Sequence, residues 1–499
     1  AFPCLRFHKS LFHHRRSFMT TVVVRAIAGD VVLGPLDFEA PPCVSDIKSR
    51  LQECLELLPG QEILLLKDSA ILSDTTKLQG GSTEDPVALN MVTSKQSLQA
   101  VVWGNSTAGP QWSKVSEQLE RGIVAVSCTH SAFAALTESG SVITWGEGEE
   151  EDGGDSDGVL GLDQGVLQVL GNEKAFVARK TGGELVVWGD ENAGGKPDAE
   201  IRAQLRDGVV AMARTMQAFA AVKENGEVVV WGNPEFGGDS SSAGSLQGVV
   251  SVVGTWGQTS GAFAALTDTG GVVTWGDPEL GGDLGSKAEQ VAKDVKSITA
   301  SGCSFAALKT TGEVVCWGDP ERGGEPVVFF SDEDSGMAQY SVKEKLSGGV
   351  VSIAASDDVF MALKEGGEVV GWGMGEDGAH LDENLVKELG NDVVSISANV
   401  AAFAALKVGG RVVTWGPYTE KGLTQLESGV VNIPSFSWPS MMSFAALKDN
   451  GSLVVWSGIS TSVMVQTPHE ELQSGVVDVV GNPCGYVALK YAAALTSDA

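Results

Sequence analysis

The chain has 499 residues, more than one hydrophobic core usually supports, so several domains or one modular array are expected. Its hydrophobic content of 43%, its 63 glycines and the lack of a long apolar run indicate a soluble, turn-rich protein and exclude a membrane-spanning helix. The formal net charge of -30 disfavours direct nucleic-acid binding and favours a basic protein partner.

Cysteine and histidine are too few and too scattered for an obvious chemical site. The seven cysteines include no C-x-x-C pair, and three of the six histidines lie within the first 14 residues. Neither a disulfide framework nor a zinc cluster is predicted. Because no phosphate loop, nucleophile elbow or metalloprotease motif is present either, we expect no cofactor, no metal site and no intrinsic catalytic activity.

Residues 1–18 form a basic leader without an acidic residue. One interpretation is an organelle presequence, which would imply an organellar location. The other is sequence upstream of a folded domain that begins at Met19, in which case a cytoplasmic or nuclear protein is expected.

Residues 19–93 predict a small mixed domain. The segments TTVVVRAI and DVVLGPLDF are rich in β-branched residues and predict a hairpin. SDIKSRLQECLELL predicts an amphipathic helix with Ser45 as its N-cap. ILLL and VALNMV predict two further strands.

This order of elements, with a P-x-Q step after the helix and an L-x-D step at 72–74, resembles ubiquitin and the ubiquitin-like β-grasp domains. The resemblance implies a docking module for ubiquitin-pathway machinery, such as ubiquitin receptors. Leu65 matches the centre of the apolar patch that such receptors grip. The alternative role of Leu65 is packing in the core of the domain.

From residue 98 onward the chain is a repeat. The pattern V-V-x-W recurs at intervals of about 43 residues, within the range expected of one propeller blade. We interpret these tryptophans as structural repeat residues: Trp103, Trp145, Trp188, Trp231, Trp275, Trp317, Trp372, Trp415 and Trp456.

Each repeat predicts three strands. An aromatic residue stands twelve positions before every such tryptophan from Trp145 onward, and a glycine stands five positions before it. FAALK and EVVCW therefore form a hairpin around Thr311 and Gly312. A further strand, G-V-V-x-V, precedes it. Both faces of these strands are apolar, as packing between two neighbouring blades requires, and the small residues of FAAL predict a crowded inner strand.

The two ends of the array complement each other. Trp103 lies in a strand without a preceding FAAL segment, and the final GYVALK lacks a following tryptophan strand. We therefore predict a mostly β protein whose propeller, residues 98–490, has about nine blades and is closed by the VVWG strand at residues 101–104. An open repeat array is the alternative, and residues 491–499 are a tail.

This repeat is similar to that of the regulator of chromosome condensation family and to its compact bacterial relatives, which include a propeller inhibitor of β-lactamase. The resemblance rests on the strand G-V-V-x-V, the small-residue strand and V-x-x-W-G followed by a glycine-rich turn. It implies a propeller fold. The family includes a guanine-nucleotide exchange factor for a small GTPase, and similar propellers occur in HECT-domain ubiquitin ligases.

Three loop regions are candidates for partner binding. The loops after W-G place Asp277, Glu279, Asp319 and Glu321 in an acidic crown, although solvated turns explain the same residues. The segment EGEEEDGGDSD contains Glu149, Glu150, Glu151 and Asp152, either as a clamp for a basic partner or as a solvated insertion. A longer insertion from Glu325 contributes Phe329, Phe330 and Tyr340, either for specificity or as a tolerated insertion.

The leading hypothesis is a non-catalytic interaction scaffold. Its propeller would bind a basic protein, and its ubiquitin-like domain would couple that partner to the ubiquitin pathway. One alternative is a guanine-nucleotide exchange factor for a small GTPase, since exchange needs no nucleophile. Another is a substrate-recruiting part of a ubiquitin ligase that lacks the HECT domain, because only 43 residues follow Trp456.

Overall fold

The structure is a computed structural model of the chain. It describes residues 20–26, 31–38, 47, 61–67, 70–71, 87–95, 97–104, 112–146, 153–332, 336–417, 423–434, 443–457 and 470–492. The chain divides into two compact units, Ala1–Gln96 and Ser97–Ala499.

The first unit contains a five-stranded mixed sheet. Its strands are β1 (Thr20–Ala26), β2 (Val31–Phe38), β3 (Gln61–Lys67), β4 (Ala70–Ile71) and β5 (Val87–Lys95), in the order β2-β1-β5-β3-β4. The central pair β1 and β5 is parallel, and the other neighbours are antiparallel. Strands are thus present at all four predicted segments. Most of the predicted helix lies outside the described residues, and the ubiquitin-like character of this unit stays a prediction.

The second unit is built from small, mainly antiparallel sheets of three to six strands, and the sheets of the last and the first repeat are joined through the pair Leu98 and Ile123. Its strands are β6 (Leu98–Gly104), β7 (Ile123–Cys128), β8 (Ala132–Thr137), β9 (Val142–Gly146), β10 (Val166–Gly171), β11 (Ala175–Lys180), β12 (Leu185–Gly189), β13 (Val209–Arg214), β14 (Ala218–Lys223), β15 (Val228–Gly232), β16 (Val249–Gly254), β17 (Ala262–Thr267), β18 (Val272–Gly276), β19 (Val295–Ala300), β20 (Ser304–Lys309), β21 (Val314–Gly318), β22 (Val327–Asp332), β23 (Gly336–Ser341), β24 (Val350–Ala355), β25 (Val359–Lys364), β26 (Val369–Met374), β27 (Val393–Ala398), β28 (Phe403–Lys407), β29 (Val412–Trp415), β30 (Val430–Asn432), β31 (Ser443–Lys448), β32 (Leu453–Ser457), β33 (Val476–Asn482) and β34 (Gly485–Tyr491).

The strands group into nine blades within the described residues. Blades 1 to 5 are β7–β9, β10–β12, β13–β15, β16–β18 and β19–β21, blades 6 to 8 are β24–β26, β27–β29 and β30–β32, and blade 9 combines β33 and β34 with β6. In each blade the first strand is the inner one, because the inner strands of blades 2 to 7 together line one central cavity. The remaining two are the middle strand and the outer strand.

Short helical segments connect the blades. The α-helices are α1 (Trp112–Val115), α2 (Ala199–Gln204) and α3 (Glu383–Glu388). Single 3₁₀ or π turns occur at Ser116–Glu120, Pro234–Phe236, Pro278–Leu280, Gly285–Lys287, Pro320–Gly324, Gly375–Ala379, Thr424–Leu426 and Glu470–Gln473. Asp198 and Asp382 cap the second and third helices by accepting two backbone N–H bonds each.

The fixed spacing of twelve residues between the aromatic residue and tryptophan is explained by the hairpin register. Phe305 and Trp317, for example, lie opposite each other on β20 and β21, and their rings stack at 5.3 Å. Equivalent stacked pairs occur in every blade, at 5.2–5.5 Å. Because both rings are buried, such a pair contributes about 1 kcal/mol beyond its area of burial.

Alternate residues of the middle strand pack against opposite neighbours. In blade 1, Ala132 and Ala134 share a core cluster with Phe176 of blade 2. Phe133 and Ala135 instead share a cluster with Tyr486 of blade 9. Every middle strand is therefore covered on both faces, which is why its side chains are small or apolar throughout.

The N-terminal strand completes the last blade, as predicted. Residues Leu98–Gly104 pair antiparallel with Gly485–Tyr491, and Trp103 stacks on Tyr486 with a ring distance of 5.2 Å. Core clusters join each blade to the next, and one of them joins blades 8, 9 and 1. The nine blades consequently form a ring, and the alternative of an open array is not adopted.

Two expectations about individual strands are wrong. FAAL forms the middle strand, and its small residues reflect crowding by the two adjacent blades. The second residue of the inner strand is not buried: Val250 is 52% and Val394 is 55% exposed. The reason is a β-bulge at this point of the inner strand, which turns the extra residue away from the sheet partner.

The insertion from Glu325 forms a hairpin of β22 and β23. It lengthens blade 6, because β22 pairs in parallel with the outer strand β26 at Val328 and Gly373. Blade 6 therefore has five strands in the order β23-β22-β26-β25-β24.

Candidate functional site: the loop face and its central cavity

The antiparallel order of each blade defines two faces of the ring. The loop face carries the turns between inner and middle strands, such as residues 355–358, and the loops that follow the outer strands, such as residues 277–282. The hairpin face carries the turns between middle and outer strands, such as residues 310–313, and the segments that enter the inner strands. The predicted acidic crown belongs to the loop face.

The first polar residue of the loops after W-G has a structural role. Asn233, Asp277 and Asp319 each accept a hydrogen bond from the backbone N–H two residues later, at 2.9–3.0 Å. This bond begins a short helical turn. These side chains therefore shape the loop as well as carrying polarity or charge.

The glycine pair of the same loops contacts the aromatic pair of the next blade, and we call this contact the glycine clasp. In five blades the indole N–H of the repeat tryptophan donates to the carbonyl of the first glycine in the preceding blade's loop, at 3.0–3.1 Å: Trp188 to Gly153, Trp231 to Gly194, Trp275 to Gly237, Trp317 to Gly281 and Trp372 to Gly323. Gly323 has φ +96°, and a Cβ there would lie 2.6 Å from the Phe360 ring. Glycine is required for both reasons.

The acidic residues that remain available lie in a row. Glu235, Glu279, Glu321 and Glu376 occupy the same loop position in blades 3 to 6, and all four are exposed. Arg322 is the only basic residue in the four loops 233–238, 277–282, 319–324 and 374–379. Its Nε lies 3.8 Å from Asp319 and 3.6 Å from Asp358. The row therefore has a strongly negative field.

The aromatic residues of the insertion form a cluster at the outer edge of blade 6. Phe330 stacks on His380 with a ring distance of 5.1 Å, and Tyr340 lies 5.9 Å from Phe330. Tyr340 is 40% exposed, whereas Phe329 and Phe330 are partly buried. Tyr340 is therefore the most accessible of the three predicted aromatic residues.

A cavity of about 600 Å³ occupies the centre of the ring toward the loop face. Its apolar wall comes from equivalent positions of successive inner strands: Met212, Val252, Ile298, Ile353 and Ile396. Its polar lining comes from the loop-face ends of these strands and the turns that follow: Arg214, Thr215, Trp256, Asp357 and Asn399.

Trp256 departs from the repeat. It lies in the turn of blade 4 between inner and middle strands, residues 255–261, which is longer than the three-residue turns of blades 1, 2, 3, 5 and 6. Its indole N–H donates to Oδ1 of Asp357 in blade 6 at 2.6 Å, so the turn reaches across blade 5. A Cβ on Gly257 would lie 2.9 Å from the Gly302 carbonyl of blade 5, which shows how closely the two turns pack.

Burial dominates the electrostatics of Asp357. Removal from water raises the pKa of its carboxyl to about 7, and the neighbouring Asp358 and Asp377 act in the same direction. The Trp256 hydrogen bond and Arg322 oppose the increase. The pKa values of Asp358 and Asp377 are raised as well, again chiefly by burial.

Arg214 contributes a cation to the same cavity. It is the last residue of its inner strand, and burial lowers the pKa of its guanidinium while the nearby Cys128 thiol acts in the opposite direction. The cavity thus has an arginine on its blade 3 wall and a carboxyl on its blade 6 wall.

The buried cysteines are poor candidates for nucleophilic chemistry. Burial raises the pKa of Cys128 and of Cys316 to about 12, so both are neutral thiols near pH 7. The described residues contain no group of three or more His, Cys, Asp or Glu side chains placed to hold a metal ion.

Sequence reasoning missed two recurring sets of polar residues. The first caps the turn between inner and middle strands by accepting a backbone N–H at the start of the middle strand: Thr129, Asn172, Thr215, Thr255, Ser301, Asn399 and Asn482. Its signal was present, because except in blade 4 these residues stand four positions before the repeat aromatic residue.

The second set is a row of lysines on the hairpin face. Six lysines at or next to the end of a middle strand donate to a backbone carbonyl in the segment before the inner strand of the same blade: Lys223 to Gln204, Lys309 to Gln290, Lys364 to Lys345, Lys407 to Glu388, Lys448 to Gln425 and Lys490 to Glu471. The recurring lysine of FAALK was the signal for it.

The remaining predicted site residues belong to the first unit or to a segment that the structure does not describe. Leu65 lies in β3 of the first unit, opposite Met91 of β5. Glu149, Glu150, Glu151 and Asp152 lie outside the described residues. In the part of the chain that the structure covers, no helix is long and apolar enough to cross a membrane.

A scan against protein-family models finds no match, and a search of the curated proteins gives none either. Among solved structures, the chain resembles Prp20p from Saccharomyces cerevisiae, with 15% identity over 81% of this chain and 93% of that chain and a TM-score of 0.40. It also resembles the CRINKLY WD40 ectodomain of the Arabidopsis thaliana receptor kinase ACR4, with 13% identity over 67% of this chain and 97% of that chain and a TM-score of 0.34. Human WBSCR16 matches with 15% identity over 74% of this chain and 86% of that chain and a TM-score of 0.33.

These likenesses are distant and carry no argument about function. The class of the second unit follows from its own strand pairing: it is a nine-bladed β-propeller of the kind expected from the resemblance to the regulator of chromosome condensation repeat.

Proposed function

We propose that this protein is a non-catalytic interaction scaffold whose loop face binds a basic protein. The observation that carries the proposal is the row of exposed glutamates at one loop position of four successive blades, with Arg322 as the only base in those loops. In blades 3 to 5 their backbone is fixed by the caps and the glycine clasp, so these carboxylates are held in position before a partner arrives. Preorganised charge of one sign favours encounter with, and selection of, a partner of the other sign.

The first unit would couple that partner to the ubiquitin pathway. Its sheet order, with the parallel pair β1 and β5 at the centre, supports a ubiquitin-like docking module. Leu65 is the candidate contact for ubiquitin receptors.

The test is affinity purification with two matched variants. The loop-face variant carries Glu235→Gln, Glu279→Gln, Glu321→Gln and Glu376→Gln. The control carries Glu184→Gln, Glu224→Gln, Glu227→Gln and Glu365→Gln, which are exposed residues of the hairpin face with the same change in charge. We expect basic partners to bind the loop-face variant about tenfold or more weakly at 0.15 M salt, and the control as tightly as the wild type.

Equal retention of every partner by both variants would overturn the proposal. The likeness to Prp20p, whose structure report names Gsp1p and histones as binding partners, suggests two purified probes: a small GTPase and a histone mixture. Tight binding of a small GTPase in its nucleotide-free form, with accelerated nucleotide release, would replace the scaffold by the exchange-factor alternative. If Leu65→Ala no longer binds ubiquitin receptors, the result would support the proposed role of the first unit. If the variant still binds them, that role is withdrawn.

A further inference from the structure

Blade 6 departs from the repeat at the end of the glutamate row. The loops that follow the outer strands of blades 3, 4 and 5 end in an acidic residue, Asp239, Asp283 or Glu325. The corresponding residue of blade 6 is His380. Blade 6 also carries the additional hairpin of β22 and β23. An aromatic residue therefore stands where the repeat has an acid, in the blade that the hairpin extends.

Three rings from the hairpin and this loop meet at the outer edge of blade 6. Phe330 and His380 stack with their centroids 5.1 Å apart and an angle of 24° between their planes. The Tyr340 ring lies edge-on to His380 at 6.0 Å, and its Oη is 3.5 Å from Nδ1 of His380. Tyr340 and His380 are exposed, and Phe330 is half-buried beside them. Rings that hold one another in place lose little side-chain entropy when a partner binds.

A carboxylate of the glutamate row adjoins these rings. Ser331 follows Phe330 in β22, and its hydroxyl donates to Oε1 of Glu376. Glu376 lies in the short turn that leads directly to His380. Because a carboxylate has about four acceptor positions, the serine bond leaves others for a second donor. Exposed rings and an exposed carboxylate are thus combined in one place.

Of the two basic side chains, arginine matches this combination better than lysine. A guanidinium is planar, stacks on aromatic faces and forms paired hydrogen bonds with a carboxylate. The ammonium group of lysine is a compact and strongly hydrated point charge. At an exposed site, contact between a cation and an aromatic ring increases affinity by about two- to fivefold.

We propose that Tyr340, His380 and Glu376 together bind an arginine side chain of the basic partner. The guanidinium packs against the rings of Tyr340 and His380, and Glu376 accepts its N–H groups. The glutamates of blades 3 to 5 attract any basic chain, whereas blade 6 favours arginine over lysine. This inference rests on the proposed function, because it assigns a residue preference to the same loop face.

Fluorescence anisotropy of the full chain with two labelled nonapeptides tests the proposal. In both peptides glycine alternates with a basic residue, which is arginine in one and lysine in the other, so the two peptides carry the same charge. We expect the wild type to bind the arginine peptide about threefold or more tightly than the lysine peptide at 0.15 M salt.

Variants assign the preference to the rings. Tyr340→Leu combined with His380→Leu keeps apolar side chains but removes two rings, and we expect it to lower the ratio of the two dissociation constants by about threefold. Tyr340→Phe retains the ring and is expected to retain the ratio. A variant with Glu235→Gln, Glu279→Gln and Glu321→Gln should weaken the binding of both peptides alike. Thermal unfolding checks that each variant is folded, and Tyr340→Leu alone replaces the double variant where that one fails to fold.

The outcomes separate this inference from the proposed function. If the two peptides bind the wild type alike, or lysine binds more tightly, while the triple glutamate variant weakens both, the loop face binds basic chains and the inference is overturned. It is also overturned if the preference for arginine survives removal of the rings. If neither peptide binds the folded wild type at about 1 mM, the proposed function and this inference both fail.

Discussion

The two faces of the ring use charge in opposite ways. On the hairpin face the recurring lysines are bonded to backbone carbonyls of their own blades, and acids such as Asp207 and Glu313 lie within ion-pair distance of them. On the loop face the glutamates at the equivalent position of blades 3 to 6 are exposed, and only Glu376 of the four accepts a hydrogen bond from a described side chain, that of Ser331. Repeated charge is therefore structural on one face and available for a partner on the other, although both patterns look alike in the sequence.

The largest expected difference between the faces concerns glycine. Gly323 on the loop face and Gly366 on the hairpin face both have positive φ, +96° and +89°. A Cβ at Gly323 meets the Phe360 ring at 2.6 Å, whereas nothing lies within 4 Å of a Cβ at Gly366. We expect Gly323→Ala to lower the free energy of unfolding by about 3–4 kcal/mol and Gly366→Ala by about 1 kcal/mol.

Urea unfolding of both variants, followed by tryptophan fluorescence, measures this difference. Equal losses would mean that the loop-face clasp adds nothing beyond the backbone conformation.

A smaller effect is expected at Asp357, where the sign depends on pH. Its pKa is about 7 in the folded protein against an ordinary 3.8, so the native state favours the protonated form. The wild type thus loses stability as pH rises from about 4 to about 7, because the carboxyl of the unfolded chain ionises over this range while the buried carboxyl keeps its proton. Asp357→Asn still accepts the Trp256 hydrogen bond and is expected to be more stable by about 1–2 kcal/mol at pH 8, with a smaller gain at pH 5.

Thermal unfolding at the two pH values checks this prediction, with Glu227→Gln of the hairpin face as the matched control. A gain that is the same at pH 5 and pH 8 would contradict it.

The lysines of the hairpin face are expected to matter less individually. Lys407 donates to the carbonyl of Glu388, at the end of the helix α3, where a cation also compensates the helix dipole. Lys407→Met keeps the length of the side chain but removes the donor and the charge, so we expect a loss of about 1 kcal/mol. The loop-face change Glu279→Gln should leave the stability unchanged, and denaturant midpoints compare the two. If Glu279→Gln lowers the stability as much as Lys407→Met, repeated charge would be structural on both faces.

The ring could be predicted from the sequence because its determinants are local and repeated. The spacing from Phe305 to Trp317 records a hairpin register, and the unmatched Trp103 and Tyr486 record the closure of blade 9. The central cavity could not be predicted in this way. Trp256 and Asp357 are 101 positions apart and meet only because blades 4 and 6 flank the same blade.

The loop face could be predicted from the sequence only in part. Its acidic loops were predicted, but the sequence alone does not separate Asp277, whose carboxylate begins the turn, from Glu279, whose carboxylate is exposed. That separation depends on hydrogen bonds between residues two positions apart, which many solvated turns share. The second valine of the inner strand was misread because a β-bulge shifts the alternation of buried and exposed residues by one position.

The smallest predicted effect concerns the residue that directly precedes each inner strand, on the hairpin face. Gly349 and its counterparts in six other blades have positive φ at this point, but blades 5 and 7 use Asp294 and Asp392, with φ of 64° and 61°. Asp294→Gly relieves the backbone strain of a non-glycine residue, but it also adds entropy to the unfolded chain. We therefore expect the free energy of unfolding to rise by only about 0.5 kcal/mol. Gly349→Asp should lower the free energy of unfolding by a similar amount, because it is the reverse substitution at an equivalent position. Opposite shifts in the urea midpoint would show that the hairpin face tolerates aspartate for backbone reasons alone, and a loss in Asp294→Gly would reveal a contact of the carboxylate that stabilises the fold.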